Sequence, residues 1–498
     1  MTASSILLTG TTFRSGTTTI LTGLCRYLAQ QGQRITPFQA QTFTDRSYLT
    51  PQGLQLGYAQ AMQAWGAGIA PRLEHNPVLL SRRNHHTFDL ILGGKIQREM
   101  TLEDYRDQSL AQSHRVIDLA LQRLKAEYTL LLCEGLGNPA IPYIPAFELG
   151  TASLALKLQC PLVLVVDMSS GGGFTQLLGT LSVLHPQVRS LLRGIILNKY
   201  TLPTTILTDR ITWLEGQTQL PVLGAIPWLS LLENREGDLG FLHRSSLAPE
   251  VSLTIAVIRL PHIASFTEFD ALDIEPTVQL QYLNLEDSLG YPDAVVLPSS
   301  RSIIADLIAL HRSPLYPELK KYVEGGGTIM GICGGFQMLG EVLTDPDGLE
   351  GEEGRFPGLG FLPIRTVFTG REVSQKRQVT TLYPQIGLPI DGYEVQRGHT
   401  QLPKVPTNFQ HLFDDEELGL VGGESGDKLA VWGCHLHGLF ENGSWRRMWL
   451  NRLRQQRGLK ALPTGIGNYR FQRDTILDQL ADIVQTHVDV SRLLEGIQ

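Results

Sequence analysis

The sequence is short of cysteine, of charge and of long apolar runs. Its 498 residues hold five cysteines, Cys25, Cys133, Cys160, Cys333 and Cys434. They are scattered, odd in number and form no CxxC pair. Neither a disulfide framework nor a zinc site is expected, and the chain reads as reduced and cytoplasmic. Charged residues make up 18%, with a formal net charge of −7. That balance, without a basic stripe interleaved with aromatics, argues against a nucleic-acid or anionic-membrane binder. No apolar stretch reaches membrane-spanning length, and the N-terminus lacks the basic start and cleavage pattern of a signal peptide. Repeats and low-complexity tracts are missing as well. What remains, 42% hydrophobic, is an ordinary soluble composition. The length is too great for one core, and two or three domains are expected.

The most informative stretch is Gly327-Thr328-Ile329-Met330-Gly331-Ile332-Cys333-Gly334-Gly335-Phe336-Gln337-Met338-Leu339-Gly340. It opens as a short apolar strand and continues as a helix, with Phe336, Leu339 and Leu343 spaced for one face. A strand turning sharply into a helix exposes the residue at the bend, and flanking glycines let the backbone take the strained angles. Gly331 and Gly334 would be costly in a plain strand or helix interior. Cys333 is therefore a candidate nucleophile rather than a core cysteine, its thiolate favoured by the helix N-terminus. Neighbouring N–H groups, that of Gly334 among them, can hold an oxyanion. A base is also needed. Trp432-Gly433-Cys434-His435-Leu436-His437-Gly438 offers two candidates, His435 and His437, of the same parity on a strand.

The first half alternates strands and helices, which argues for a mostly parallel sheet. Ser5 to Leu8 reads as a strand, Gly10-Thr11-Thr12-Phe13-Arg14-Ser15-Gly16-Thr17-Thr18 as a glycine loop, and Ile20 to Leu28 as a helix. Strand, loop and helix N-terminus form the setting of a phosphate-binding loop. The spacing from Gly10 to Gly16 is one residue longer than Gly-x4-Gly. Thr17 sits where the phosphate lysine belongs, and Thr18 keeps the hydroxyl that would contact Mg²⁺. Further strands read at Leu130–Glu134, Pro161–Asp167, Gly194–Lys199 and Pro221–Pro227.

Several of these segments resemble one family. Gly331 to Gly340 looks like the nucleophile elbow of class I glutamine amidotransferases, and His435-Leu436-His437-Gly438-Leu439-Phe440 resembles the histidine motif of their cobyric acid synthase branch. The resemblance assigns the catalytic histidine to His437. Other branches place a carboxylate two residues later; here that position is Leu439, and the group that orients His437 is not legible. Pro292 to Ser300 resembles the oxyanion loop, with Ser299 in place of glycine. Gly392-Tyr393-Glu394-Val395-Gln396 resembles another family segment, with Gln396 in place of histidine. In the first half, Pro37 to Thr42, Leu56 to Ala64 and Asn76 to Leu80 resemble family motifs. Thr17, Gln39, Ser81, Ser169 and Ser170, however, stand where the family carries charged residues.

The resemblance covers nearly the whole chain. It implies an α/β protein with an N-terminal P-loop-like parallel-sheet domain (1–235) and a linker (236–251). A flavodoxin-like class I amidotransferase domain (252–445) follows, then a helical tail (446–498) packed on it. It implies that the Cys333 thiolate attacks the side-chain amide of L-glutamine, that His437 passes a proton to departing ammonia, and that Ser299 and Gly334 hold the oxyanion. ATP with Mg²⁺ would sit at Gly10, Gly16, Thr17, Thr18, Glu134, Asp167 and Asn198, with Thr18, Glu134 and Asp167 toward the metal. ATP would activate carboxylates of a corrinoid substrate, adenosylcobyrinic acid a,c-diamide, for amidation. Five lost charges leave a second expectation open: a paralogue whose first half is a binding or regulatory scaffold.

Overall fold

The computed structural model describes residues 3–497 apart from 45, 51–53, 83–85, 141–148, 170, 202, 229–251, 265, 402–405 and 423–430. The linker expected at 236–251 and the substitution at Ser170 lie outside the described residues. The chain forms two units, Met1–Thr50, Leu54–His243 and Arg473–Gln498 in the first, and Pro51–Gly53 and Arg244–Gln472 in the second. Among the described residues no helix is long and apolar enough to cross a membrane.

The first unit is built on six parallel strands. These are β1 (Ser4–Gly10), β2 (Ile35–Phe38), β3 (Leu130–Glu134), β4 (Leu162–Asp167), β5 (Leu192–Tyr200) and β6 (Val222–Pro227), in the order β6-β5-β4-β1-β3-β2. Their near-continuous apolar runs are those of strands covered on both faces. Ile6, Leu8, Leu132, Val163 and Val165 are buried with Ile20, Leu21 and Leu24 of α1 (Thr17–Gln30). In such a sheet the loops at the carboxyl ends of the strands gather at one edge, where ligands bind. A smaller sheet, Gln41–Phe43, Val78–Arg82, Phe88–Leu92 and Lys95–Met100 in that order, belongs to the same unit.

The second unit has a seven-stranded sheet. Its parallel part is β7 (Leu253–Ile258), β8 (Val278–Leu283), β9 (Ala294–Leu297) and β10 (Thr328–Ile332), together with the later strand Val431–Cys434, which pairs in parallel with β10. The helix α2 (Gly334–Met338) follows β10 directly. A second sheet contains the long antiparallel pair β11 (Arg365–Thr380) and β12 (Pro389–Gln401). Then come β13 (Phe409–His411), β14 (Gly419–Gly422), β15 (Val431–Cys434) and the two-residue β16 (Leu436–His437). The first sheet runs β8-β7-β9-β10-β15-β14-β13, whereas β16 pairs with β12 in the second. The chain thus changes sheets at His435.

Helix α3 (Gly443–Gln456) fastens this strand end. Trp445 and Trp449 lie 5.4 and 5.9 Å from Trp432 of β15, centroid to centroid. Asn442, just before α3, donates to the Gly438 carbonyl at 3.0 Å and to the Asp391 carbonyl at 2.9 Å, which pins the turn after His437. Arg446 is buried completely and pairs with buried Glu275 at 2.9 Å; Arg447 reaches the other carboxylate oxygen at 2.6 Å.

Two expectations need correction. The helix after Cys333 ends at Met338 instead of running to Leu343, because Gly340 packs against the Ile364 carbonyl and Val342–Asp345 pairs as a strand. Phe336, Leu339 and Leu343 are nonetheless all buried in one cluster. The tail divides too. Residues 446–472 belong to the second unit, whereas Arg473–Gln498 belongs to the first. In α4 (Tyr469–His487) and beyond, Val484, Val488, Val490 and Leu493 join the core around α1, and Arg26 pairs with Asp478 at 2.7 Å. The apolar spacing of this helix was legible in the sequence; which core it completes was not.

Candidate active site

The bend between β10 and α2 is built as the glycine pattern requires. Cys333 has φ 50° and ψ −107°, a strained conformation for a residue with a side chain. A Cβ on Gly331 would lie 2.5 Å from the Gly335 backbone, and one on Gly335 would lie 2.1 Å from the Leu297 carbonyl oxygen. No side chain fits at either position, so the turn depends on both. The segment after β9 lies against the bend: the Ser300 N–H is 3.1 Å from where a Gly334 Cβ would stand. Ser299 is buried, is not among the residues of positive φ, and accepts from the Ala264 N–H at 2.8 Å. Serine in place of glycine therefore introduces no backbone strain there.

Cys333 is 7% exposed and its thiol donates to the Val395 carbonyl at 2.7 Å. Burial pushes its pKa up, but the His435 and His437 imidazoles outweigh that and bring it down to about 6. The two rings thus act on the thiol beside the five-residue helix whose N-terminus it caps. Both rings are buried, and none of their four nitrogens completes an aligned hydrogen bond. His437 is pushed down by burial but raised on balance by Cys333 and Glu268. Its Nδ1 lies 3.4 Å from Glu268 Oε2. The Glu268 carboxylate also accepts from the Gly438 N–H at 2.9 and 3.0 Å. Glu268 is thus the carboxylate missing at Leu439, brought in from the segment after β7. Sequence reasoning missed it because no local spacing links it to His437; the only signal was its place beside the family-like run ending at Thr267.

In the first unit the expected residues also converge. β1 ends at Gly10, where a Cβ would meet Ser15 Oγ at 2.0 Å, and Gly16 caps α1 in the left-handed conformation with φ 86°. Thr17 and Thr18 open the helix. Thr18 Oγ1 donates to Glu134 Oε1 at 2.5 Å, and Gln63 donates to Glu134 Oε2 at the same distance. Asn198, expected to contact nucleotide, donates to the Ser15 carbonyl at 2.8 Å and so braces the loop. Lys199 reaches the Arg14 carbonyl at 2.7 Å and Asp167 at 3.2 Å. Ser169 also engages Asp167, at 2.6 Å through its hydroxyl. Where the family has a lysine, Gln39 accepts from Thr42 and Gln60 in a buried neutral network.

The glycine loop and helix N-terminus fit a polyphosphate chain, and the Thr18–Glu134 pair fits the edge of a hydrated Mg²⁺ ion. Among the described residues no cluster of three or more His, Cys, Asp or Glu is arranged to hold a metal.

The profile of the CobB/CobQ-like glutamine amidotransferase domain matches residues 254–445, and that of an AAA domain matches 97–236, a span that begins after the glycine loop. A cobyric acid synthase of Nostoc punctiforme is 45% identical over 98% of this chain and 99% of its own length. The chain belongs to the cobyric acid synthase family. A second cobyric acid synthase, from Gloeothece citriformis, is 46% identical over 99% of this chain and all of its own. Membership in the family fits glutamine- and ATP-dependent amidation in cobalamin biosynthesis, and it makes the chain a glutamine amidotransferase of the ligase type. Among solved structures, PurLQS from Thermotoga maritima overlaps 41% of this chain and all of its own at 16% identity. Its TM-score of 0.32 is too low to bear on fold or function.

Proposed function

We propose that this chain hydrolyses L-glutamine at Cys333 and uses the ammonia, with ATP, to amidate side-chain carboxylates of adenosylcobyrinic acid a,c-diamide. The supporting observation is the buried thiol of Cys333, held in a left-handed bend beside two imidazoles. The thiolate attacks the amide carbon and the carbonyl electrons move to oxygen, where the Gly334 and Ser299 N–H groups receive the oxyanion. His437 gives its proton to the departing nitrogen, so ammonia leaves and a thioester remains. Neutral His437 then takes a proton from water as it attacks the thioester, releasing glutamate and restoring the thiolate. ATP, when bound, supplies the phosphoryl group that activates an acceptor carboxylate; the loop from Gly10 to Thr18 and Glu134 would hold it.

Glu268 is the positioning residue for His437. Its charge raises the imidazole pKa, so Glu268→Gln lowers it and His437 loses its proton at lower pH. Glutamine turnover is expected to fall by about 10- to 100-fold with little change in KM, and the alkaline decline of kcat to move to lower pH. An unmoved alkaline limb would remove Glu268 from this role.

The neutral residues Thr17, Gln39, Ser81 and Ser169 favour a second reading, a glutaminase whose first unit is a binding scaffold. One assay separates the two. Purified protein with glutamine, Mg·ATP and the corrinoid is expected to release glutamate and ADP and to add amide mass to the corrinoid. Glutamate release with neither ADP nor amidated product would leave the scaffold reading.

A further inference from the structure

We propose that Asp306 is the positioning residue of the loop after β9, its buried carboxylate holding the Ser299 and Ser300 N–H groups against the Cys333 bend. The inference deepens the glutaminase reading and rests on it for the oxyanion that those groups receive. Asp306 lies in the first turn of the helix Ile303–Arg312 and is 0% exposed. An enclosed carboxylate is costly unless donors surround it, and here they come from two separate segments. Ser300 Oγ donates to Oδ2 at 2.6 Å, and His262 Nδ1 lies 2.6 Å from Oδ1. The His262 backbone N–H reaches the two oxygens at 3.2 and 3.1 Å. The side-chain contacts have the length of charge-assisted bonds. Ser300 Oγ accepts in turn from the Ser302 N–H at 3.0 Å, and the Ile303 N–H donates to Glu350 at 2.8 Å, which fixes the start of the helix.

The backbone completes the clamp. The Ala264 N–H donates to the Ser299 carbonyl at 2.8 Å and the Arg301 N–H to the His262 carbonyl at 2.9 Å, about an antiparallel bridge between Ile263 and Ser300. This pairing leaves two donors over. Among the described residues neither the Ser299 nor the Ser300 N–H has a protein acceptor, although both residues are buried. Buried N–H groups are normally paired, and one left open beside a nucleophile is a reserved donor. The Ser300 nitrogen stands 3.1 Å from where a Gly334 Cβ would lie, and the side chain of the same residue is the one bonded to Asp306. The clamped segment also runs on, a few residues past Ala264, to Glu268 behind His437. One carboxylate therefore sets the oxyanion side of the site relative to the proton carrier. An oxyanion donor is effective only where the developing charge will be, so a small displacement of the loop is costly.

The test compares glutamine turnover with alkylation of Cys333 by iodoacetamide, read on its own peptide by mass spectrometry. Asp306→Asn keeps the shape but turns one acceptor into an NH₂ group facing donors. Its kcat is expected to fall about 10- to 100-fold with KM within about twofold, because the oxyanion exists only after attack. Alkylation forms no oxyanion, so its rate at the same pH is expected to stay within about twofold. A merely structural carboxylate would move both readouts together. Ser300→Ala removes the same bond from its other end. Its kcat is expected to fall comparably, and the double variant to lose little more than the larger single loss, as for two ends of one interaction. An unmoved kcat in either variant, a kcat that falls only in step with alkylation, or losses that multiply in the double variant overturns the proposal. Should Asp306→Asn fail to fold, the Ser300→Ala arm decides. Absence of glutamine turnover in the unmodified chain would remove the glutaminase reading and this proposal with it; turnover there with unmoved variants would remove this proposal alone.

Discussion

Cys333→Ala is expected to abolish glutamine hydrolysis, a loss of about 1,000-fold or more, while leaving the melting transition near that of the unmodified chain. The rate effect follows because the covalent step has no substitute: neither His435 nor His437 can replace the attacking sulfur, and water without a thioester is a poor nucleophile. The fold is expected to survive because alanine fits the space of the thiol and removes only one hydrogen bond, that to the Val395 carbonyl. The strained φ of 50° remains in the variant, so no relief of the bend is expected either. Glutamate release measured with and without ATP is the check. Hydrolysis persisting at more than a hundredth of the original rate would mean that the bend does not carry the nucleophile.

Glu275→Ala is expected to destabilise the second unit by about 3–5 kcal/mol. Its carboxylate neutralises Arg446, whose side chain is wholly enclosed, and Arg447, which is 11% exposed. Burial, with repulsion from Arg447, lowers the pKa of Arg446 even against the pull of Glu275, as expected of a site that tolerates an unpaired guanidinium poorly. Removing the carboxylate leaves that charge with the Phe440 carbonyl and Gln472 as remaining partners. Replacing the pair together, Glu275→Leu with Arg446→Met, is expected to recover most of the loss, because uncharged side chains of similar volume avoid the desolvation of both ions. Urea unfolding followed through Trp432, Trp445 and Trp449 reports on this region. Equal loss in the single and double variants would show that packing, not charge, is what the pair maintains. Because α3 holds the turn after His437, glutaminase activity is expected to decline before global unfolding.

The extent to which the sequence announced this site follows from chain distance. The elbow was legible because its glycine pattern is local in sequence: Gly331 answers the Gly335 backbone four residues on, although Gly335 itself answers the distant Leu297 carbonyl. His437 was legible through its motif, and the parity of 435 and 437 was consistent with both rings reaching one sulfur. The parity argument assumed a continuous strand, however, and the chain instead leaves one sheet and enters another between them. Glu268 was not legible, since its partner is the Gly438 N–H far along the chain. Five of the six parallel strands of the first unit were read within a few residues of their observed bounds, because runs buried on both faces carry a strong signal; β2 and the smaller sheet were not read as strands. The bond from Asn198 to the Ser15 carbonyl was not legible, since an amide side chain has no characteristic spacing.

The division of the tail has a consequence for synthesis of the protein. Gly23 of α1 lies so close to Leu480 that a Cβ there would stand 2.6 Å from its carbonyl, and Asp489 bonds Leu223 at 2.7 Å. The first unit to leave the ribosome is therefore the last to be finished. It waits with part of its apolar interior uncovered until the closing residues emerge, whereas the second unit has its own segments in hand by residue 472.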